Sequence, residues 1–137
     1  MQLVTYLNFG GQCEAAFKFY ETCLRGTIEA MITFGGTPSG ADIPASWKNK
    51  IMHARLSAGG QVLMGSDGLP GETFEHRGYS VAVVVKEAAE ADRIFAALSK
   101  NETVSMPIQQ TFFAERFGML TDQFGVPWMV NCEPTGA

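Results

Sequence analysis

The stretch Ile51-Met52-His53-Ala54-Arg55-Leu56-Ser57-Ala58-Gly59-Gly60-Gln61-Val62-Leu63-Met64-Gly65-Ser66 decides how the rest of the chain is read. Ile51 to Ala58 alternates as a half-buried strand does. Met52, Ala54, Leu56 and Ala58 share one face, and His53, Arg55 and Ser57 share the other. Gly59-Gly60 is a two-residue hairpin signal, so Gln61 to Ser66 returns as the partner strand. Working back, the loop Gly35 to Lys50 contains Gly, Pro, Ser and Asp, with Trp47 its exception. Before it, Thr27 to Phe34 reads as a strand. Ala16, Phe17, Tyr20 and Leu24 mark a helix face, which Gly26 would end by accepting positive φ. Leu3 to Phe9 reads as the first strand, broken by Gly10-Gly11.

The same order recurs beyond the Asp67 to Gly78 linker. Tyr79 to Lys86 is a Val-rich strand, and Glu87 to Lys100 is helical with Ala91, Ile94, Phe95 and Leu98 on one face. Thr103 to Phe113 holds a strand that Pro107 demotes to an edge or a bulge. Ala114 to Thr121 and Val126 to Glu133 follow, joined by residues 122–125. We therefore expect one α+β domain over 1–137, built from two βαβββ modules at 1–70 and 76–137. Each helix covers one face of its sheet. The opposite faces must be buried against each other, a ligand or another subunit, and concave surfaces of that kind bind small molecules.

Composition narrows the function. The chain has 137 residues, enough to bury roughly 68% of its unfolded surface without a staple. Ten basic and 14 acidic residues give a net charge of −4, which disfavours a nucleic-acid surface. No apolar run approaches the ~18 residues of a membrane span, and the N-terminus has no signal-peptide pattern. Cys13 and Cys23 fall on one expected helix, about 15 Å apart along its axis, too far for a disulfide. With Cys132 left over, the thiols read as reduced and structural, and the protein as cytoplasmic.

Several further segments carry a resemblance: Tyr6-Leu7-Asn8-Phe9, residues 13–20, Ile51 to Leu56, Val62 to Asp67, and above all Gln110 to Met119 with Asp122 to Asn131. On these the chain resembles the vicinal-oxygen-chelate superfamily of glyoxalases, bleomycin-resistance proteins and extradiol dioxygenases. Within it, the chain is similar to the PhnB-like branch, often labelled 3-demethylubiquinone methyltransferase-like. The resemblance implies two βαβββ modules whose mixed sheets form a U-shaped cavity, usually in a homodimer. It also implies metal ligands near Thr5 or Tyr6, Met64, Tyr79 or Ser80, and Met129. None of these is His, Glu, Asp or Cys, so no metal and no cofactor is expected. Gly10-Gly11 lacks the G-x-G-x-x-G spacing of a nucleotide cradle, and the strand order is not that of a Rossmann-type methyltransferase.

The candidate ligand-binding residues are Tyr6, Asn8, Trp47, His53, Arg55, Phe112 and Glu115. His53 is the acid/base imidazole, Arg55 an anion-binding guanidinium, and Glu115 a carboxylate that would raise the imidazole pKa if it faced His53. Each also has a plain reading: His53 with Arg55 as a hydrogen-bonded pair, Glu115 with Arg116 as a strand ion pair. Trp47 divides between pocket lid and dimer contact, with Phe34, Phe113 and Trp128 as further aromatic walls or core. His76 lies in the linker, outside a two-histidine site unless that loop folds back. The methionines, Met52, Met64, Met119 and Met129 among them, read as core filling, with Met64 and Met129 also candidates for an adaptable cavity floor. The function expected is metal-free binding of a small apolar or aromatic ligand. The alternatives are an enzyme using His53 with Arg55 or Glu115 on a small carbonyl or phosphonate substrate, and an interaction module whose cavity its own side chains fill.

Overall fold

The computed structural model describes residues 1–38, 42–100 and 104–134. The chain divides into two compact units, Met1–Phe74 and Glu75–Ala137. In the first, β1 (Thr5–Phe9), α1 (Cys13–Leu24), β2 (Thr27–Thr33), β3 (Ile51–Ala58) and β4 (Gln61–Asp67) form a four-stranded sheet of order β1-β4-β3-β2. In the second, β5 (Val81–Val85), α2 (Ala88–Leu98), β6 (Val104–Gln109), β7 (Arg116–Thr121) and β8 (Pro127–Cys132) repeat it as β5-β8-β7-β6. Each sheet is mixed: the outer strand of each unit's start lies parallel to its last strand, and the other pairs are antiparallel. This is the α+β architecture of two βαβββ units expected above.

The helices are amphipathic and bury one face. Cys13, Ala16, Phe17, Tyr20 and Cys23 of α1 are buried, as are Ala91, Ile94, Phe95 and Leu98 of α2. Cys23 takes the inner position expected of Leu24, which is half-buried. Phe17 lies on Gly65, where an added Cβ would stand 2.7 Å from its ring. Phe95 lies on Gly118 in the same way, at 2.6 Å. Both glycines are therefore needed for helix–sheet contact, since a methyl group there would overpack the core.

Three expectations change. Arg25, not Gly26, takes the left-handed conformation that ends α1, at φ 51°. Gly26 is required because a Cβ there would meet the Ser57 carbonyl at 2.5 Å. Phe34 leaves β2 to begin a 3-10 turn, Phe34–Gly36. The alternation of β3 slips at its start. Thr33 pairs with Ile51 and Ile32 with His53, so Met52 is the extra residue of a bulge. Ile51, Ala54 and Leu56 are buried, while Met52 is exposed. Gly59 and Gly60 both take positive φ, as the hairpin requires. Thr103, expected to open the strand that holds β6, and residues 39–41 of the loop lie outside the described residues.

Candidate functional site

Strand alternation sorts each sheet into a face packed on its helix and a face left open by it. In the first unit the helix side carries Leu7, Phe9, Ala54, Leu56, Leu63 and Gly65, all buried. The open face carries Tyr6 and Asn8 on β1, Met64 on β4, and His53 and Arg55 on β3. Tyr6 stands opposite Met64, and Met64 opposite Arg55 on its other side. Tyr6 Oη lies 3.2 Å from His53 Nδ1, and the two rings stack at 5.9 Å with 24° between their planes. The phenol donates when the imidazole carries its proton on Nε2, and accepts when Nδ1 carries it. Tyr6 is 43% exposed. Arg55 Nε donates to Glu29 Oε1 at 3.0 Å, a part-exposed pair on β3 and β2. The guanidinium thus meets a carboxylate of its own unit.

Trp47 takes a role not foreseen for it. It closes the 3-10 turn Ala45–Trp47, and its indole N–H donates to the Gly68 carbonyl at 2.9 Å. Lys50 sits over the ring at 5.8 Å and donates to the Gly11 carbonyl at 2.9 Å. The indole therefore ties the long loop to the Gly10-Gly11 turn and the end of β4.

That turn is organised by Asp67, which sequence reasoning left in a linker. Its Oδ1 accepts from Gly11 N at 2.8 Å and Cys13 N at 3.0 Å, and its Oδ2 accepts from Ile51 N at 2.8 Å. The first N–H of α1, that of Cys13, is thus satisfied by the chain's own buried carboxylate. A strand-ending Asp directly before a glycine-rich segment was the available signal. Asp122 plays a comparable part in the second unit. Its Oδ1 accepts from Phe124 N at 2.8 Å and Val126 N at 3.0 Å, and its Oδ2 from Trp128 Nε1 at 2.8 Å. Trp128 is core, as one of its two expected roles had it.

The open face of the second sheet carries Ala82, Phe117, Met119 and Met129. Ala82 and Met119 flank Met129, and Phe117 and Val84 flank Asn131. Phe112 is fully exposed and forms an edge contact with Phe113 at 5.2 Å, which contacts Phe117 at 5.0 Å. Glu115 lies just before β7, with its N–H donating to the Cys132 carbonyl at 2.8 Å. Arg116 turns toward α2 and pairs with Asp92 at 3.1 Å. The residues that match His53 and Arg55 in register are therefore Phe117 and Met119 rather than Glu115 and Arg116. His76 Nδ1 lies 2.6 Å from Tyr79 Oη within the second unit.

The three cysteines are buried and unbridged. Burial, then Asp67 and Glu14, push the Cys13 thiol far above its ordinary range. Burial, Glu115 and Glu87 raise that of Cys132 against the lowering by Arg116. Neither is a thiolate at neutral pH.

The fold's metal positions can be tested on the donors present. In the first unit they are Tyr6 and Met64. In the second, the pairing of β5 with β8 sets Ala82, not Tyr79 or Ser80, opposite Met129. A phenol with a thioether in the first unit, and a methyl group with a thioether in the second, do not fit a zinc, nickel or magnesium ion. Among the described residues no group of three or more His, Cys, Asp or Glu gathers to hold one. No helix among them is long and apolar enough to cross a membrane.

Similar proteins share the family or the fold. Protein YjdN of Escherichia coli K12 is 33% identical over 139 residues, covering 96% of this chain and 95% of that protein. The crystal structure of protein PA1353 from Pseudomonas aeruginosa superposes with a TM-score of 0.87 at 50% identity, covering 97% of this chain and 98% of that one. The fosfomycin resistance protein FosX of Listeria monocytogenes has a TM-score of 0.65 at 8% identity, over 98% and 94% of the two chains, and shares the fold alone. The family model described as 3-demethylubiquinone-9 3-methyltransferase matches residues 1–131. With its two βαβββ units, the chain belongs to that family, the PhnB-like branch of the vicinal-oxygen-chelate superfamily.

Proposed function

We propose that the protein binds a small apolar or aromatic molecule, without a metal ion, against the sheet faces that its helices leave open. The observation that carries this is the open face of the first sheet. Tyr6, Asn8, His53, Arg55 and Met64 stand side by side there, opposite the buried face. An aromatic ring, an adaptable thioether and a few polar groups are the lining of a small-molecule site. We further propose a cytoplasmic homodimer.

The methyltransferase activity in the family's description is not carried over. A Rossmann-type methyltransferase needs a doubly wound parallel sheet and free N–H groups at its glycine-rich turn. Here each sheet is mixed, and Gly11 N and Cys13 N are taken by Asp67.

Native mass spectrometry of protein purified without chelator tests the reading in one measurement. A dimer carrying a small organic molecule, or taking one up, with well under one equivalent of metal is the expected result. Stoichiometric zinc, nickel or iron would overturn it, and a monomer would count against the assembly. A second reading is favoured by the Tyr6–His53 contact: an enzyme in which His53 moves a proton, with Arg55 or Glu115 assisting. His53→Gln separates the two. Ligand retention in that variant supports binding, and loss of a turnover seen in the parent supports catalysis.

A further inference from the structure

On the first unit's open face, Arg55 is held by one edge of its guanidinium and left open at the other. Its Nε donates to Glu29 Oε1 at 3.0 Å, and its two Nη groups make no hydrogen bond among the described residues. Two arginines of the second unit are used differently. Arg93 grips both oxygens of Glu90 through Nε and Nη2, and Arg116 gives Nε to Asp92 and Nη1 to the Glu115 carbonyl. The side chains of Arg55 and Glu29 are 35% and 45% exposed, so the pair is within reach of a molecule in solution. The open end of a guanidinium, with two parallel N–H groups, matches the two oxygens of a carboxylate. Met64 separates Arg55 from Tyr6 across the sheet, and the Tyr6 ring stacks on His53. Two strand spacings set Tyr6 and Arg55 roughly 10 Å apart at the backbone, room for one ring beside a carboxylate. The chain carries a net charge of −4, so no general attraction brings an anion here.

We infer that the first sheet's open face takes a small aromatic acid carrying a single carboxylate. The carboxylate accepts from Nη1 and Nη2 of Arg55, and the ring lies over Met64 toward Tyr6. Glu29 steadies the guanidinium by its Nε edge and limits the charge of the ligand. One negative charge is met by the adjacent guanidinium. A second would face Glu29, and β1 to β4 hold no further arginine or lysine to meet it. A neutral carboxamide offers the guanidinium only one acceptor oxygen. The inference rests on the reading of the open faces as ligand-binding, and it names the class of molecule that the first of them selects.

Benzoate, benzamide and phenylphosphonate share a ring and differ in the group offered to Arg55. Each is titrated into the full chain labelled with 15N, in mildly alkaline buffer where the phosphonate is a dianion. The expected result is saturable movement of the Tyr6, Arg55 and Met64 signals by benzoate, with roughly tenfold tighter binding than either of the other two. Arg55→Gln removes the paired donors and brings benzoate to the affinity of benzamide. Should that variant not fold, Arg55→Lys, which keeps the charge without the fork, serves for the same comparison. Glu29→Gln leaves Arg55 in place and narrows the gap between benzoate and phenylphosphonate. An unchanged gap there overturns the part given to Glu29. Equal affinities for benzoate and benzamide in the parent, with first-face signals moving, leave ligand binding standing and overturn the selection by Arg55. Movement of Phe117 and Met129 signals alone has the same meaning. Phenylphosphonate binding tighter than benzoate overturns the single charge. No movement on either face overturns both readings.

Discussion

The two units share one backbone plan and differ in what they put on it. Matched by strand register, Tyr6, Asn8, Met64 and Ser66 of the first correspond to Ala82, Val84, Met129 and Asn131 of the second. His53 and Arg55 correspond to Phe117 and Met119. Only the methionine recurs. The helix-facing positions at the centre of each sheet stay apolar in both, because there the helix must be buried whatever the function. Duplication thus preserved the core, and the open faces diverged into one that is polar and aromatic and one that is greasy. The lesson is where to look for function: in the positions that the shared fold does not constrain.

Each unit also fixes itself with one buried aspartate accepting three N–H groups, and the two do so over different ranges. Asp67 joins the end of β4 to the start of α1 and to β3, across 56, 54 and 16 residues. Asp122 closes a local turn, across 2, 4 and 6 residues. Removing either carboxylate strands buried donors, but only Asp67 couples elements remote in sequence. Asp67→Ala is expected to cost about 4 kcal/mol in urea unfolding and Asp122→Ala about 2 kcal/mol. Equal losses would mean that the range of the contacts is irrelevant, and the comparison of the two devices would fail.

Next in size is the response to alkali. The Cys13 thiol stays protonated in the folded chain beyond the pH at which it ionises when unfolded, near 9.0. Above that pH the native state holds more protons than the unfolded state, so stability falls as pH rises, and below it the contribution is complete. The slope from Cys13 approaches about 1.4 kcal/mol per pH unit. Cys132 acts in the same direction, opposed in part by Arg116. Urea midpoints measured from pH 8 upward are expected to flatten more in Cys13→Ala than in Cys132→Ala. A steeper curve in Cys13→Ala than in the parent would contradict the assignment.

Much of this fold was legible beforehand, for a plain reason. Helix and strand periods are local properties, so both helices, the Gly59-Gly60 hairpin and the doubled order could be read from spacing alone. What stayed hidden depends on contacts distant in sequence. Nothing near Gly26 says that the Ser57 carbonyl leaves it no room for a side chain. Nothing near Met52 says that Thr33 pairs with Ile51 and pushes the intervening residue outward. The site was legible as a set of residue types, and His53 with Tyr6 is an instance of two candidates brought together. Glu115 lies just before β7, and the register position that matches His53 belongs to Phe117. Asp67 was missed because its place at a strand end before Gly68 signals a turn, while its partners, the N–H groups of Gly11, Cys13 and Ile51, lie 16 to 56 residues away.

The smallest effect tests the divergence of the open faces directly. Tyr6→Phe keeps the ring that stacks on His53 and removes only the hydroxyl at 3.2 Å from Nδ1. Tyr6 is part-exposed, so water replaces the lost bond and stability should change by less than about 1 kcal/mol. The imidazole, however, loses the hydroxyl that faces its Nδ1. The 15N shifts of His53 should move as its tautomer balance changes, while signals from Phe117 and Asn131 stay in place. If the His53 shifts do not move, the phenol has no hold on the ring. The polar face would then be a set of independent neighbours, and the distinction drawn between the units would reduce to hydrophobicity alone.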